Sequence, residues 1–340
     1  MAGDTQADEH LSVTDRYIAL AIQGDLQPAQ ALLRDMEQTD GGAVIEADRE
    51  LATRFRQRFI DRSESPAPGS GNALVDALVS AYRVYWRRAL LAGGARAGDE
   101  EALQRDLAGA LRQHSALDAA PSLEALHATL GPAIERQGFH ALISPAPPLQ
   151  DLLVWRTQET RYFEVELTDL TRSVQVAFLS DFSSLGWKEY AALGLATTTG
   201  WVEGDSLYCV EWAYEPGTEG FEVSYLKHET RHLADFERFP GLPSVELEYR
   251  AKLTELAFAS KTLRRLLEDF TGKAAPNPGS PHAEANDRVV RDVYRALHGT
   301  ELPHGTELPR GDGVWMTVDV GKVNRVARRL LESSTRELPE

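Results

Sequence analysis

The chain has 340 residues, 42% of them apolar and 26% charged, which is ordinary for a globular protein and more than one compact core usually organises. Its formal net charge of −16 argues against a nucleic-acid partner bound through its phosphates and against an anionic membrane surface. One cysteine, Cys209, excludes an intramolecular disulfide and a cysteine-based structural zinc site, and the lack of an apolar run of about 18 residues excludes a membrane-spanning helix.

The first ten residues are polar and acidic and do not resemble a signal peptide, which taken literally implies a cytoplasmic protein; a start trimmed from a longer precursor leaves an exported location open. Residues 15–38, 42–60, 72–91, 99–114 and 122–137 repeat apolar residues at three- and four-residue intervals and predict helices. Residues 1–143 therefore read as an α-helical N-terminal region that packs on or covers the catalytic part of the chain, with an exposed loop over 63–71. The segment Ser144-Pro145-Ala146-Pro147-Pro148 places three prolines in four residues and predicts an extended linker to a second domain, residues 149–340.

After that segment the apolar period changes to two. Residues 152–157, 161–167, 173–179, 200–202 and 207–214 predict strands, with turns at Thr168-Asp169 and 203–206 and a short helix over 185–193. Cys209 sits in the last strand as a small apolar residue. Helical periodicity returns over 220–239 and ends at Phe239-Pro240-Gly241-Leu242-Pro243. Ser244 is expected to N-cap a helix reaching about residue 270, with Glu246 in its first turn, where the dipole favours negative charge. A proline-rich loop over 274–281 leads to a helix over 282–298. A duplicated Gly-Thr-Glu-Leu-Pro comes next at 299–303 and 305–309, then Arg310-Gly311-Asp312 as a coincidental turn and a last helix over 319–337. The expected fold class is α+β: a helical N-terminal region, then a domain with a small, mostly antiparallel sheet and two metal-bearing helices.

The pentapeptide His228-Glu229-Thr230-Arg231-His232 carries the chemistry. Two histidines four residues apart fall on one helix face, so both imidazoles reach one metal ion, while the intervening glutamate is placed to act on a metal-bound water. Zinc is the expected cofactor, and a catalytic zinc needs a third protein ligand with one position left open. Asp235 lies on the same face but about 10 Å along the axis from His228, too far to share the ion; it reads as an outer-shell carboxylate or as the partner of Arg231. The next helix offers Glu246, Glu248 and Glu255. An antiparallel return past the proline turn reaches the metal's level near residues 248–250, which favours Glu248, with Glu246 and Glu255 as alternatives.

This arrangement, with the segment Glu246-Leu247-Glu248-Tyr249-Arg250-Ala251-Lys252-Leu253, resembles the gluzincin group of zinc metallopeptidases, to which thermolysin belongs. The resemblance covers about residues 220–260. It implies a zincin-like domain, His228, His232 and Glu248 as ligands, Glu229 as general base, and a peptide or protein as substrate, which an edge strand over 200–202 or 207–214 would pair with. Lys227 and Arg231 are charged where such motifs usually are not, and the 16 residues from His232 to Glu248 (248 − 232) are few for the group. Hydrolysis also requires a donor for the tetrahedral oxyanion, for which His282, Tyr249, Tyr294 and His298 are candidates. The readings from other classes are a non-catalytic, zinc-stabilised binding or scaffold protein and a metal-dependent hydrolase of something other than peptides.

Overall fold

The computed structural model describes residues 12–38, 46–64, 69–96, 98–115, 122–274, 280–300 and 315–338. The fold is α+β. Its chain divides into two units: residues 1–158 with 179–198, and residues 159–178 with 199–340.

The first unit contains helices α1 (Val13–Ala21), α2 (Gln27–Gln38), α3 (Glu46–Phe55), α4 (Ala73–Ala92), α5 (Asp99–Ser115) and α6 (Leu123–Glu135). Strand β1 (His140–Ala146), parts of β2 (Leu149–Glu166) and β3 (Thr171–Leu185), and helix α7 (Gly186–Ala191) complete it. Helix α4 is central because its apolar residues recur on several faces: ten are buried, from Leu74 through Tyr82, Tyr85 and Trp86 to Leu90. The Asn72 side chain accepts from the N–H groups of Leu74 and Val75 to start it, and Gly93 at φ 78° stops it. Trp86 Nε1 donates to the Gln150 carbonyl at 2.8 Å, which fixes α4 to β2.

Two sequence expectations change in this unit. The helix predicted over 15–38 is split at Gly24, whose φ of 83° is left-handed, and a Cβ there would lie 2.3 Å from Pro148 Cγ. The proline-rich segment expected as a linker is the end of β1 and the turn into β2, with Ala146 paired to Leu149 and His140 to Trp155. Proline lacks a ladder donor, but β1 is an edge strand and tolerates it. Helix α3 runs into a π-helical turn, Arg56–Asp61, closed by Arg62 at φ 57°.

The second unit contains the remaining parts of β2 and β3, then β4 (Gly200–Glu203), β5 (Ser206–Val210) and a π-helical stretch, Gly220–Lys227. Helices α8 (His228–Arg238), α9 (Ser244–Phe258), α10 (Leu263–Gly272), α11 (Pro281–His298) and α12 (Val320–Glu337) come after it. The strands hydrogen-bond in the order β1-β2-β3-β5-β4, with β1–β2 and β4–β5 antiparallel. The strands expected over 152–157 and 161–167 are one long β2, which ends at Glu166, and β5 ends at Val210 in a short 3-10 turn instead of reaching residue 214.

Two apolar clusters hold this unit. Val165, Val174, Phe178, Leu207, Cys209, Phe221 and Tyr225 pack on the sheet side. Leu253, Leu256, Val289, Val293, Trp315 and Val326 join α9 to the later helices. Eleven of the fifteen residues of α9 are buried, with α8, α11 and α12 packed around it, so polar side chains on α9 are internal whichever way they point.

Helix α9 stops at Phe258, not near residue 270. Asn324 Nδ2 donates to the carbonyls of Leu256 and Ala259, and Arg328 donates to that of Ala257, which supplies the free carbonyls of its last turn. Glu219 accepts from the backbone N–H groups of Ser260, Lys261 and Thr262 at 2.6, 2.9 and 3.0 Å, and so caps the start of α10. Ser244 is the first helical residue and not the cap; Pro243 holds that place, its carbonyl accepting from Glu246 and Leu247. The duplicated pentapeptide after Thr300, the tripeptide 310–312, and residues 65–68 and 275–279 of the expected loops lie outside the described residues. No helix among the described residues is long and apolar enough to cross a membrane.

Candidate metal centre

His228 opens α8 and His232 follows one turn later, which brings their Nε2 atoms within 3.1 Å of each other. From α9, Glu248 Oε1 lies 3.4 Å from His232 Nε2, and Oε2 lies 3.8 Å from His228 Nε2. All three side chains are buried, and a ligand atom of each lies within 4.8 Å of those of the other two. A tetrahedral ion with bonds of about 2.0–2.1 Å needs donor atoms about 3.3–3.4 Å apart, close to the 3.1 and 3.4 Å that separate His232 Nε2 from His228 Nε2 and from Glu248 Oε1. Two imidazole nitrogens and one carboxylate oxygen form a donor set suited to zinc.

The surrounding groups orient these donors. Glu255, two turns after Glu248 on the same face of α9, places Oε1 2.7 Å from His228 Nδ1. A carboxylate only accepts, so Nδ1 carries the hydrogen and the Nε2 lone pair faces the cluster. His282 Nδ1 approaches Glu248 Oε2 to 2.8 Å and Lys252 Nζ approaches it to 3.8 Å, yet no donor is aligned for a hydrogen bond to that buried oxygen. A cation held between the three side chains would satisfy it, together with both Nε2 lone pairs. Burial opposes ionisation of Glu248, but His232, His282 and His228 outweigh it and hold the carboxyl well below the usual carboxylate range. Burial also opposes a charge on His228, and Glu255, with Glu229 and Glu248 behind it, reverses that and raises its pKa. Glu229 is half-buried beside His228 and outside the cluster, and its carboxylate makes no hydrogen bond to another described residue.

The other residues singled out in the sequence have different surroundings. Asp235 binds Arg250 through both oxygens at 2.7 and 3.0 Å and Arg231 at 3.5 Å; the outer carboxylate at the histidines is Glu255. Glu246 pairs with Arg288 and accepts from Ser334 Oγ at 2.7 Å. The Tyr249 hydroxyl donates to Asp292 at 2.9 Å, and Tyr294 packs on His298 with ring centroids 4.4 Å apart. The charges flanking the histidines have packing explanations. Arg231 is 1% exposed and is held by Asp169, Thr254 and Asp235. Lys227 lies 4.2 Å over the Phe258 ring and donates to the Glu166 carbonyl.

No protein-family model, curated protein or solved structure matches the chain.

Proposed function

We propose that His228, His232 and Glu248 hold a zinc ion, and that the protein is a zinc-dependent hydrolase acting on peptide bonds through a zincin-like second unit. The observation that carries this reading is the convergence of the three donor atoms from α8 and α9, with Glu229 beside them and uncoordinated. Zinc held by His228, His232 and Glu248 would supply a Lewis acid and make water nucleophilic near neutral pH. Glu229, as general base, takes the proton from the attacking water and passes it to the leaving nitrogen. Glu255 keeps His228 in the tautomer that presents Nε2. His282 is 68% exposed at the start of α11 and next to Glu248, and offers an N–H at the rim for charge developing on the substrate carbonyl. Strand β4 is a sheet edge packed beside α8, a place for an extended peptide to add a strand.

The test is Glu229→Gln, assayed for bound zinc by elemental analysis and for hydrolysis of an unstructured protein substrate. The expected result is one zinc per chain in both proteins and a loss of roughly 10²–10⁴ in turnover for the variant. Full activity in the variant removes Glu229 as the base. A wild-type chain that holds zinc and cleaves no peptide bond is a zinc-stabilised scaffold or a hydrolase of something other than peptides instead.

A further inference from the structure

The first unit contains a cavity of about 710 Å³, within the range of small-molecule sites, whose walls carry four arginines in a protein of net charge −16. One wall is a single face of α4, where Ser80, Arg83 and Arg87 recur at three- and four-residue spacing. Facing it are Arg58 and Arg62 from the π-helical turn and its end, and Glu189 from α7.

The carboxylates neutralise these cations only in part. Glu64 is taken by Arg58, whose Nε lies 2.9 and 2.8 Å from its two oxygens, and Asp76 accepts from the Ser70 N–H at 2.7 Å. Arg87 spends only its Nε, on the Tyr190 hydroxyl at 3.2 Å. The Arg62 and Arg83 side chains make no hydrogen bond or ion pair to another described residue, although the Arg83 charge is felt by Glu64 and Glu189. With Arg58 paired to Glu64, three guanidinium groups remain against the carboxylates of Asp76 and Glu189, and burial pushes the carboxyl of Glu189 upward, towards its neutral form.

We propose that this cavity binds a phosphate-bearing small molecule, with Arg83, Arg87 and Arg62 on the phosphate oxygens. Planar guanidinium forks match phosphate through paired hydrogen bonds, and an anion offsets the excess of arginines over carboxylates on the walls. The Ser80 and Ser183 hydroxyls on the walls supply neutral donors.

The test is calorimetric titration of the full, chelator-treated chain with inorganic pyrophosphate and, separately, with a sugar phosphate. Saturable one-site binding is expected, weakened about tenfold or more by Arg83→Gln and partly restored by Arg83→Lys, which keeps the charge without the fork. Arg49→Gln, on the exposed side of α3, should bind as the parent does, and circular dichroism checks that each variant is folded. Tighter binding of the sugar phosphate assigns the rest of the cavity to an organic group, whereas equal binding assigns it to a free phosphate anion. No saturable binding of either probe at millimolar concentration, or unchanged binding by Arg83→Gln, overturns the proposal.

Discussion

His228 Nδ1 and Glu255 Oε1 are 2.7 Å apart and buried, so the first histidine of the motif is anchored from the neighbouring helix by a carboxylate that takes no place among the donor atoms. Glu255→Gln leaves the donor set intact and removes the charge that fixes the ring. Zinc affinity should fall about 10–100-fold while the fold persists, measured by competition with a chromogenic chelator. An unchanged affinity would show that the ring is held by packing alone.

Glu248 and Glu246 lie two positions apart on α9 and so point to different sides of it. Glu248→Ala should abolish stoichiometric zinc binding, since two protein ligands seldom hold zinc tightly. Glu246→Gln should keep the metal and lose only its pairing with Arg288, a change of about 0.5–1 kcal/mol in unfolding free energy. Zinc content after dialysis separates the two outcomes.

Asp235 is the common carboxylate of two buried arginines, with Arg250 at 0% and Arg231 at 1% exposure. Asp235→Ala leaves Arg250 without a carboxylate, although Ser334 and Thr335 still accept from its Nη1 at 3.0 Å. The expected cost is about 3–5 kcal/mol by denaturant unfolding, well beyond that of a surface pair. A loss under about 1 kcal/mol would mean that water reaches the arginine.

In the first unit, Asp151 Oδ1 accepts from the N–H groups of Leu152 and Trp187 at 2.9 and 2.8 Å, while burial pushes its carboxyl up to about 6. The folded pKa lies above the unfolded value, so this group favours the fold fully below about pH 4, and that contribution is lost as the pH rises through about 6. Above that window the ionised group opposes folding by a term on the order of 3 kcal/mol. Asp151→Asn keeps the accepting oxygen and drops the charge. It should raise the urea midpoint at neutral pH and do little at pH 4, and an equal gain at both would refute the cause.

The metal motif is legible in the sequence because a four-residue histidine spacing is a statement about one helix, and Glu248 follows from counting residues out and back through a short turn. By the same count Glu255 is only a competitor for the ion. Its actual partner, the far nitrogen of His228, is a tertiary contact that no spacing encodes. Asp235 shows the same limit: a local partner four residues away, Arg231, is visible, while the stronger one, Arg250, requires the second helix in place. The stop of α9 at Phe258 depends on Asn324 and Arg328, more than sixty residues later. Pro145, Pro147 and Pro148 give a linker signal because proline in an edge hairpin and proline in a linker look alike locally.

The π-helical stretch Gly220–Lys227 settles a conflict written into the chain just before the motif. In an α-helix, Phe221 would stand two turns before His228 and share its face. With hydrogen bonds reaching one residue further, seven residues cover only about one and a half turns, and the two side chains diverge. Phe221 is then free to enter the core beside Phe178 and Tyr225 while His228 turns to Glu248 and Glu255. The widened turn thus acts as a phase shifter between an aromatic face and a ligand face. Wound as a regular α-helix, the same seven residues would set a phenylalanine ring in line with the histidines.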